Sequence, residues 1–406
     1  MNGTFEQFDS EMERRGLDTA LVIGESTLGN PELAYVAGTT IPRGGIFIKR
    51  RRFEPILVVS NIDVGNAKRG RVSDVRTYSD YGYENLIQRH GRERAYVMLV
   101  DLILRTVRSR GRVGVYGHTE FSRLLSTVDS LRRLGHKIAG EKDASLIESL
   151  RDTKDSSETR TIRSVGSRAS CVVEQTQRML GDCVVRSGKL KSKGKTLTVG
   201  MVKSRINTLL AEQDLIAPEG TVFAVGAGSA DPHEMGHPFD AIKAGVPIVF
   251  DLFPVGAEGY WFDLTRTFVV GKAPRKVKDM FDAVLEVQLR SIDSIQENIP
   301  ASKVMNFACD LFERRGFKTI RAMLKGDRNA ARVGFIHSLG HGVGLTIGER
   351  PYLSLFSDDT LRKNQVVTVE PGLYKPRIGG VRIEDTVLLK GRRVENLTPL
   401  EKELEI

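Results

Sequence analysis

Five residues in the second half of the chain have the types and spacing to do chemistry together. Asp251 and Asp263 lie in VFDLFPVGAEGYWFDLTRTFVVG, from Val249 to Gly271. That stretch reads as two apolar, aromatic strands joined by a turn containing Gly256 and Gly259, with one aspartate in the middle of each strand. Glu370 follows a β-branched run in VVTVEPGLY, and Glu384 sits in a further strand, VRIEDTVLL. His341 stands in HSLGHGVGLTIGERP, where flanking glycines leave the backbone free to approach something closely. Taken singly, each has an ordinary structural reading: Asp263 caps the LTRT turn, Glu384 pairs with Arg382, and His341 serves a turn. Taken together they ask for more, because a buried carboxylate is costly unless it is paired or holds a metal. Two aspartates, two glutamates and an imidazole suit Mn²⁺, Co²⁺, Fe²⁺ or Zn²⁺. They carry charge enough for two divalent ions, which bridging carboxylates hold roughly 3.5 Å apart around a shared water or hydroxide.

The elements that must position these residues change character along the chain. Up to about Ile147, helix-like and strand-like segments alternate, which predicts an α/β unit over residues 1–150. FEQFDSEMERRG and EFSRLLSTVDSLRRLG read as helices; TALVIG, GIFIKR, PILVVS and RVGVYG read as strands. Asp155-Ser156-Ser157-Glu158 is a helix start, and a long helix then runs towards Met179. The basic segment RSGKLKSKGK reads as a loop, followed by a helix over VGMVKSRINTLLAEQDL. From Thr221 onward hairpins mix with helices without regular βαβ alternation, so residues 151–406 read as an α+β domain.

Composition narrows the function classes. The 406 residues carry a formal net charge of +10, but the basic clusters are not interleaved with stacking aromatics, and no zinc-finger or RNA-binding signature is present. Nucleic-acid binding is therefore not the expectation. Cys171, Cys183 and Cys309 fit no disulfide framework and read as free thiols in the cytoplasm. No apolar run reaches membrane-span length, and the N-terminus has no secretory signal pattern. The glycine run GHGVGLTIG lacks the spacing of a nucleotide loop.

Four blocks, VFDLFPVGAEGYWFDLTRT, HSLGHGVGL, VTVEPGLY and GGVRIEDTV, resemble in their order the methionine aminopeptidase, aminopeptidase P and prolidase superfamily. The resemblance runs from roughly Lys154 to Leu389. It implies a pita-bread catalytic domain and a two-metal site: Asp251 as ligand of one ion, Asp263 and Glu384 as bridges, His341 completing one side, and Glu370 as a ligand that also shuttles protons. The N-terminal part resembles the creatinase-like domain of the Xaa-Pro-cleaving branch. Arg382, two residues before Glu384, and His337, four before His341, match residues of that branch, and His233 in DPHEMGHPFD resembles its substrate-side histidine. Arg382 would pin a carboxylate or form a structural salt bridge, and His233 or His337 would bind the developing oxyanion or the substrate amide. The implied function is dimetal-dependent hydrolysis of the N-terminal bond of short Xaa-Pro peptides by a metal-bridged hydroxide, in a homodimer. The family's GLxVHExP block departs here to GLTIGERP, with Gly348 in place of the histidine; that leaves the ligands intact and puts the proline preference in question. The other reading of the same fold is a non-catalytic binding protein for a peptide or nucleic acid.

Overall fold

The computed structural model describes residues 3–406. The chain divides into two compact units, one ending at Arg151 and the other spanning Asp152–Ile406.

The first unit is built on a six-stranded mixed sheet. Its order is Asp74–Thr77, Ile56–Val59, Gly45–Arg50, Thr19–Gly24, Arg112–Tyr116, Lys137–Ala139. Thr19–Gly24 is buried along its whole length, as a continuous apolar run in a sheet covered on both faces should be. Several elements here were not anticipated, among them a helix and an edge strand. The helix Arg92–Thr106 buries Leu99, Val100, Ile103 and Leu104 at helical spacing against the sheet. The polar edge strand Asp74–Thr77 is only half-buried, so it lacks the alternation that would announce it.

The second unit opens with the helix Ser156–Gly181, and the start signal works through a capping box. Asp155 Oδ1 accepts from the Ser157 and Glu158 amides at 2.7 and 2.8 Å, while Glu158 accepts from the Asp155 amide at 2.8 Å. The basic segment expected as a loop is instead a three-stranded ribbon, Val184–Arg186, Lys189–Ser192 and Lys195–Thr196. Two-residue turns with positive φ at Ser187-Gly188 and Lys193-Gly194 set its register, and buried Leu190 anchors it to the core.

Two hydrophobic cores follow. The first joins Ser156–Gly181 and Val199–Glu212 to the sheet Val222–Val225, Ile248–Leu252, Leu264–Phe268 through Val172, Ile206, Phe250 and Phe262. The second joins Arg275–Ser294 and Ala301–Arg314 to a five-stranded sheet through Val284, Phe312, Val367 and Val387. That sheet runs Ile347–Leu353, Gly340–Val343, Val366–Val369, Asp385–Lys390, Arg393–Asn396. The two sheets touch at one bridge, Thr265 to Glu384, where the Glu384 amide donates to the Thr265 carbonyl at 3.0 Å. Both glutamates and both aspartates of interest lie around this junction.

Candidate metal centre and active site

Asp251 is in the strand Ile248–Leu252, opposite Thr265. Asp263 is not in the middle of a strand: Leu252 pairs with Leu264, so the second strand begins one residue after it. The intervening segment leaves the ladder because Pro254 has no amide to donate and Val255–Gly256 pairs with Leu215–Ile216 instead. Glu384 is also outside regular strand, in the break between Gly379–Arg382 and Asp385–Lys390. The strand breaks at both positions come where the two sheets join at Thr265. His341 is in the strand Gly340–Val343 and Glu370 just follows Val366–Val369, its amide bound to the Leu339 carbonyl at 2.8 Å.

These elements bring one oxygen or nitrogen each from Asp263, His341 and Glu384 within 4.8 Å of one another. His341 Nδ1 lies 3.0 Å from its neighbour's carbonyl, Gly342 O. An Nδ1–H donating there leaves the Nε2 lone pair free, 3.6 Å from Asp263 Oδ2 and 3.8 Å from Glu370 Oε1. Asp251, Glu370, His233 and His337 line the same cavity, of about 500 Å³. Arg382 binds Asp251 Oδ2 at 2.5 Å rather than pairing with Glu384. It also donates to Tyr374 Oη at 3.0 Å, Thr265 Oγ1 at 3.2 Å and the Pro232 carbonyl at 3.2 Å.

The electrostatics are those of carboxylates crowded without enough cations. Burial, then the Glu384 and Asp251 charges, hold Asp263 well above the usual carboxylate range. Burial, then Glu370 and Asp251, do the same to Glu384. Burial pushes Glu370 up to about 8, against the opposing pull of Arg382. His337 is driven down to about 3 by burial and then by Arg382, so its ring is neutral. With Nδ1–H donating to the Ser338 carbonyl at 2.7 Å, Nε2 accepts from the Tyr374 hydroxyl at 2.9 Å. His233 is exposed at the cavity wall, its amide held by Asp231 Oδ1 at 3.1 Å.

The residues fit a divalent metal on a structural test. Asp251 Oδ1, Asp263 Oδ1 and Glu384 Oε1 are buried with no hydrogen-bond partner, although buried polar atoms are rarely left so. Their partner oxygens are held in place: Thr265 Oγ1 donates to Glu384 Oε2 at 2.7 Å. Hard oxygens plus one imidazole form the donor set for first-row divalent cations.

A family model, metallopeptidase family M24, matches residues 188–391. The chain belongs to this family. It is therefore a metallopeptidase, an enzyme whose cofactor is divalent metal. Over 321 residues the M24 chain is 29% identical to the Xaa-Pro dipeptidase of Pyrococcus furiosus, a match covering 77% of this chain and 86% of that one. The solved prolidase from P. furiosus superposes with a TM-score of 0.73 at 26% identity, over 97% of this chain and all of that one. The Xaa-Pro dipeptidase from Bacillus anthracis, 22% identical, gives 0.77 over 99% of both chains and shows the shared fold. The fold is thus a pita-bread α+β catalytic domain preceded by a smaller α/β domain, as the blocks implied.

Sequence reasoning passed over several residues that shape this M24 site. Tyr374, in the same EPGLY block as Glu370, links His337 to Arg382. Arg266, buried in the LTRT stretch, donates to the Glu384 carbonyl at 2.7 Å and to Asp385 Oδ1 at 2.8 Å, fixing the backbone of the glutamate from behind. Both were inside quoted motifs, which was the available signal. No helix is long and apolar enough to cross a membrane among the described residues.

Proposed function

We propose that the chain is a dinuclear exopeptidase that hydrolyses the first peptide bond of short peptides with proline in the second position. Asp251, Asp263, His341, Glu370 and Glu384 are its ligands for two divalent ions, Mn, Co, Fe or Zn. The observation that carries this reading is the convergence of three unpartnered buried carboxylate oxygens with a free imidazole nitrogen in one cavity. The Xaa-Pro preference rests on the names of the relatives, Xaa-Pro dipeptidase and prolidase.

Bound, the ions supply Lewis acidity for the scissile carbonyl and a water of lowered pKa. The remaining work falls to side chains. Glu370 accepts the proton of the attacking water and returns it to the leaving nitrogen. Arg382 holds Asp251 in position and keeps cationic charge beside the carboxylates. Tyr374 ties Arg382 to the neutral His337, and His233 stands at the open wall, where it can hydrogen-bond substrate. The free thiols Cys171, Cys183 and Cys309 suit a reducing compartment, and the chain is read as a homodimer.

The test is hydrolysis of matched Xaa-Pro, Xaa-Pro-Yaa and Xaa-Ala peptides by Mn²⁺- or Co²⁺-loaded protein, with metal content measured on the same sample. Two ions and cleavage confined to proline peptides are expected, and the length preference separates dipeptidase from aminopeptidase. Two ions with no cleavage of proline peptides would sink the specificity. No metal and no turnover, with salt-sensitive binding of RNA or a peptide, would favour the binding-protein reading.

A further inference from the structure

One carboxylate in this cavity has no task in the proposed reaction. Glu219 lines the same space as Asp251, Asp263 and Glu384. It is exposed, in the turn where the Gly220 amide donates to the Ala217 carbonyl at 3.0 Å just before Val222–Val225. Among the described residues no hydrogen bond or ion pair engages its carboxylate. Arg382, the arginine lining the cavity, is already spent on Asp251, Tyr374, Thr265 and the Pro232 carbonyl.

The wall of the same cavity is apolar and open. Val222, Met235 and Ile347 contribute to it, and Gly348 forms a corner. Gly348 has φ +75°, and a Cβ built there would meet nothing within 4 Å. Tyr352 Oη donates to the Gly348 carbonyl at 2.8 Å, which steadies that turn. An apolar wall, an open corner and an unpaired exposed acid suit a long cationic side chain, whose methylenes cover apolar surface while its head stays near water.

We infer that Glu219 selects substrates whose amino-terminal residue is arginine or lysine, with the room at Gly348 admitting the long stem. The inference rests on the Xaa-Pro reading above: proline fills the second position, so the cationic side chain belongs to the first.

The experiment compares kcat/KM of the Mn²⁺-loaded enzyme on Arg-Pro, its neutral isostere citrullyl-Pro, Lys-Pro, norleucyl-Pro and Glu-Pro. Arg-Pro should exceed citrullyl-Pro by about two- to fivefold at low salt, and the ratio should shrink as ionic strength rises. Glu219→Gln should bring that ratio to about one, and Glu219→Lys should turn the preference towards Glu-Pro. Gly348→Asn, which tolerates positive φ, should slow Arg-Pro more than Ala-Pro. A wild-type ratio near one overturns the inference. So does an equal loss on all substrates in Glu219→Gln, because the acid would then be holding the common α-ammonium group. Calorimetric binding of reduced-bond analogues of Arg-Pro and citrullyl-Pro separates this inference from the function it rests on. If no Xaa-Pro peptide is hydrolysed the peptidase reading fails, and the binding arm still decides about Glu219: a preference of about two- to fivefold supports it, equal affinities overturn it.

Discussion

Glu370 and Arg382 show why single residues here cannot be read by type alone. A glutamate at its ordinary pKa is a poor proton acceptor at neutral pH, because it releases its proton too readily to hold one through the reaction. In the metal-free site burial lifts Glu370 to about 8, and a cation bound beside it would pull that value down. Glu370→Gln keeps the shape and an oxygen donor but removes the proton acceptor, so kcat should fall by about 10²–10⁴-fold with far-UV circular dichroism unchanged. A loss below about threefold would remove Glu370 from proton transfer. Arg382 acts differently: its guanidinium makes four separate hydrogen bonds, one of them to the partly buried Asp251 carboxylate. Arg382→Lys keeps the charge but cannot reproduce that fork. Leaving buried acceptors short of donors should cost about 1–3 kcal/mol, read as a lower urea midpoint. Metal loading should recover only part of it, because the ions neutralise the carboxylates but do not bind Tyr374 or the Pro232 carbonyl.

Asp263 is placed by an element that carries no catalytic residue. Its neighbour Phe262 lies against the helix Ser156–Gly181 at Gly166, where an added Cβ would fall 2.3 Å from the ring. Helix propensity alone says that Gly166→Ala should stabilise by about 1 kcal/mol. The ring leaves no room, so a net loss of about 1–3 kcal/mol is expected from overpacking, together with reduced metal affinity as Phe262 pushes Asp263 off the cluster. Titration calorimetry and urea unfolding check the two effects, and a stabilised variant with unchanged affinity would break the link. The same junction marks the limit of what the sequence could disclose. Strands such as Thr19–Gly24 and Ile248–Leu252 were legible because their apolar runs are long and bounded by turn residues. The donor types at Asp251, Asp263, His341, Glu370 and Glu384 were legible, and three of them, Asp263, His341 and Glu384, come together as a possible metal site. That Asp263 and Glu384 sit in strand breaks was not, because the breaks come from a long-range junction of two sheets at Thr265, which no local pattern announces. The ribbon around Lys191 was hidden under its charge, since the turns Ser187-Gly188 and Lys193-Gly194, not apolar alternation, create its pairing. Glu219 in PEGT looks like any turn acid until the cavity is seen around it.

For the molecule as a whole, the crowded carboxylates make stability depend on pH and metal in a direction that can be worked out. Asp263, Glu370 and Glu384 all have raised pKa values in the folded, metal-free site. The folded state therefore holds protons that the unfolded chain has released, and stability from these groups is full below their ordinary pKa near 4. It is lost as pH rises through the folded values, for Glu370 through about 8. His337 works in the opposite sense, because its pKa is lowered to about 3 in the folded state. Its contribution is already complete above its ordinary value of about 6.5, so between pH 7 and 9 the raised carboxylates dominate, joined towards pH 9 by the buried Cys309 thiol, which is also held above its ordinary value. Across that window Glu370 alone should remove about 1.4 kcal/mol from the metal-free protein, which is roughly 3–5 °C in Tm for a unit of this size. Divalent ions replace those protons, so the metal-loaded protein should show a flatter profile and apparent metal affinity should climb with pH. Differential scanning calorimetry of chelator-treated and Mn²⁺-loaded samples at pH 7, 8 and 9 measures the gap between the two forms. It should widen at each step. A gap that stays constant or narrows would mean that the carboxylates are not competing with protons for the cation, and that the metal, if bound, sits elsewhere than at Asp263, His341 and Glu384.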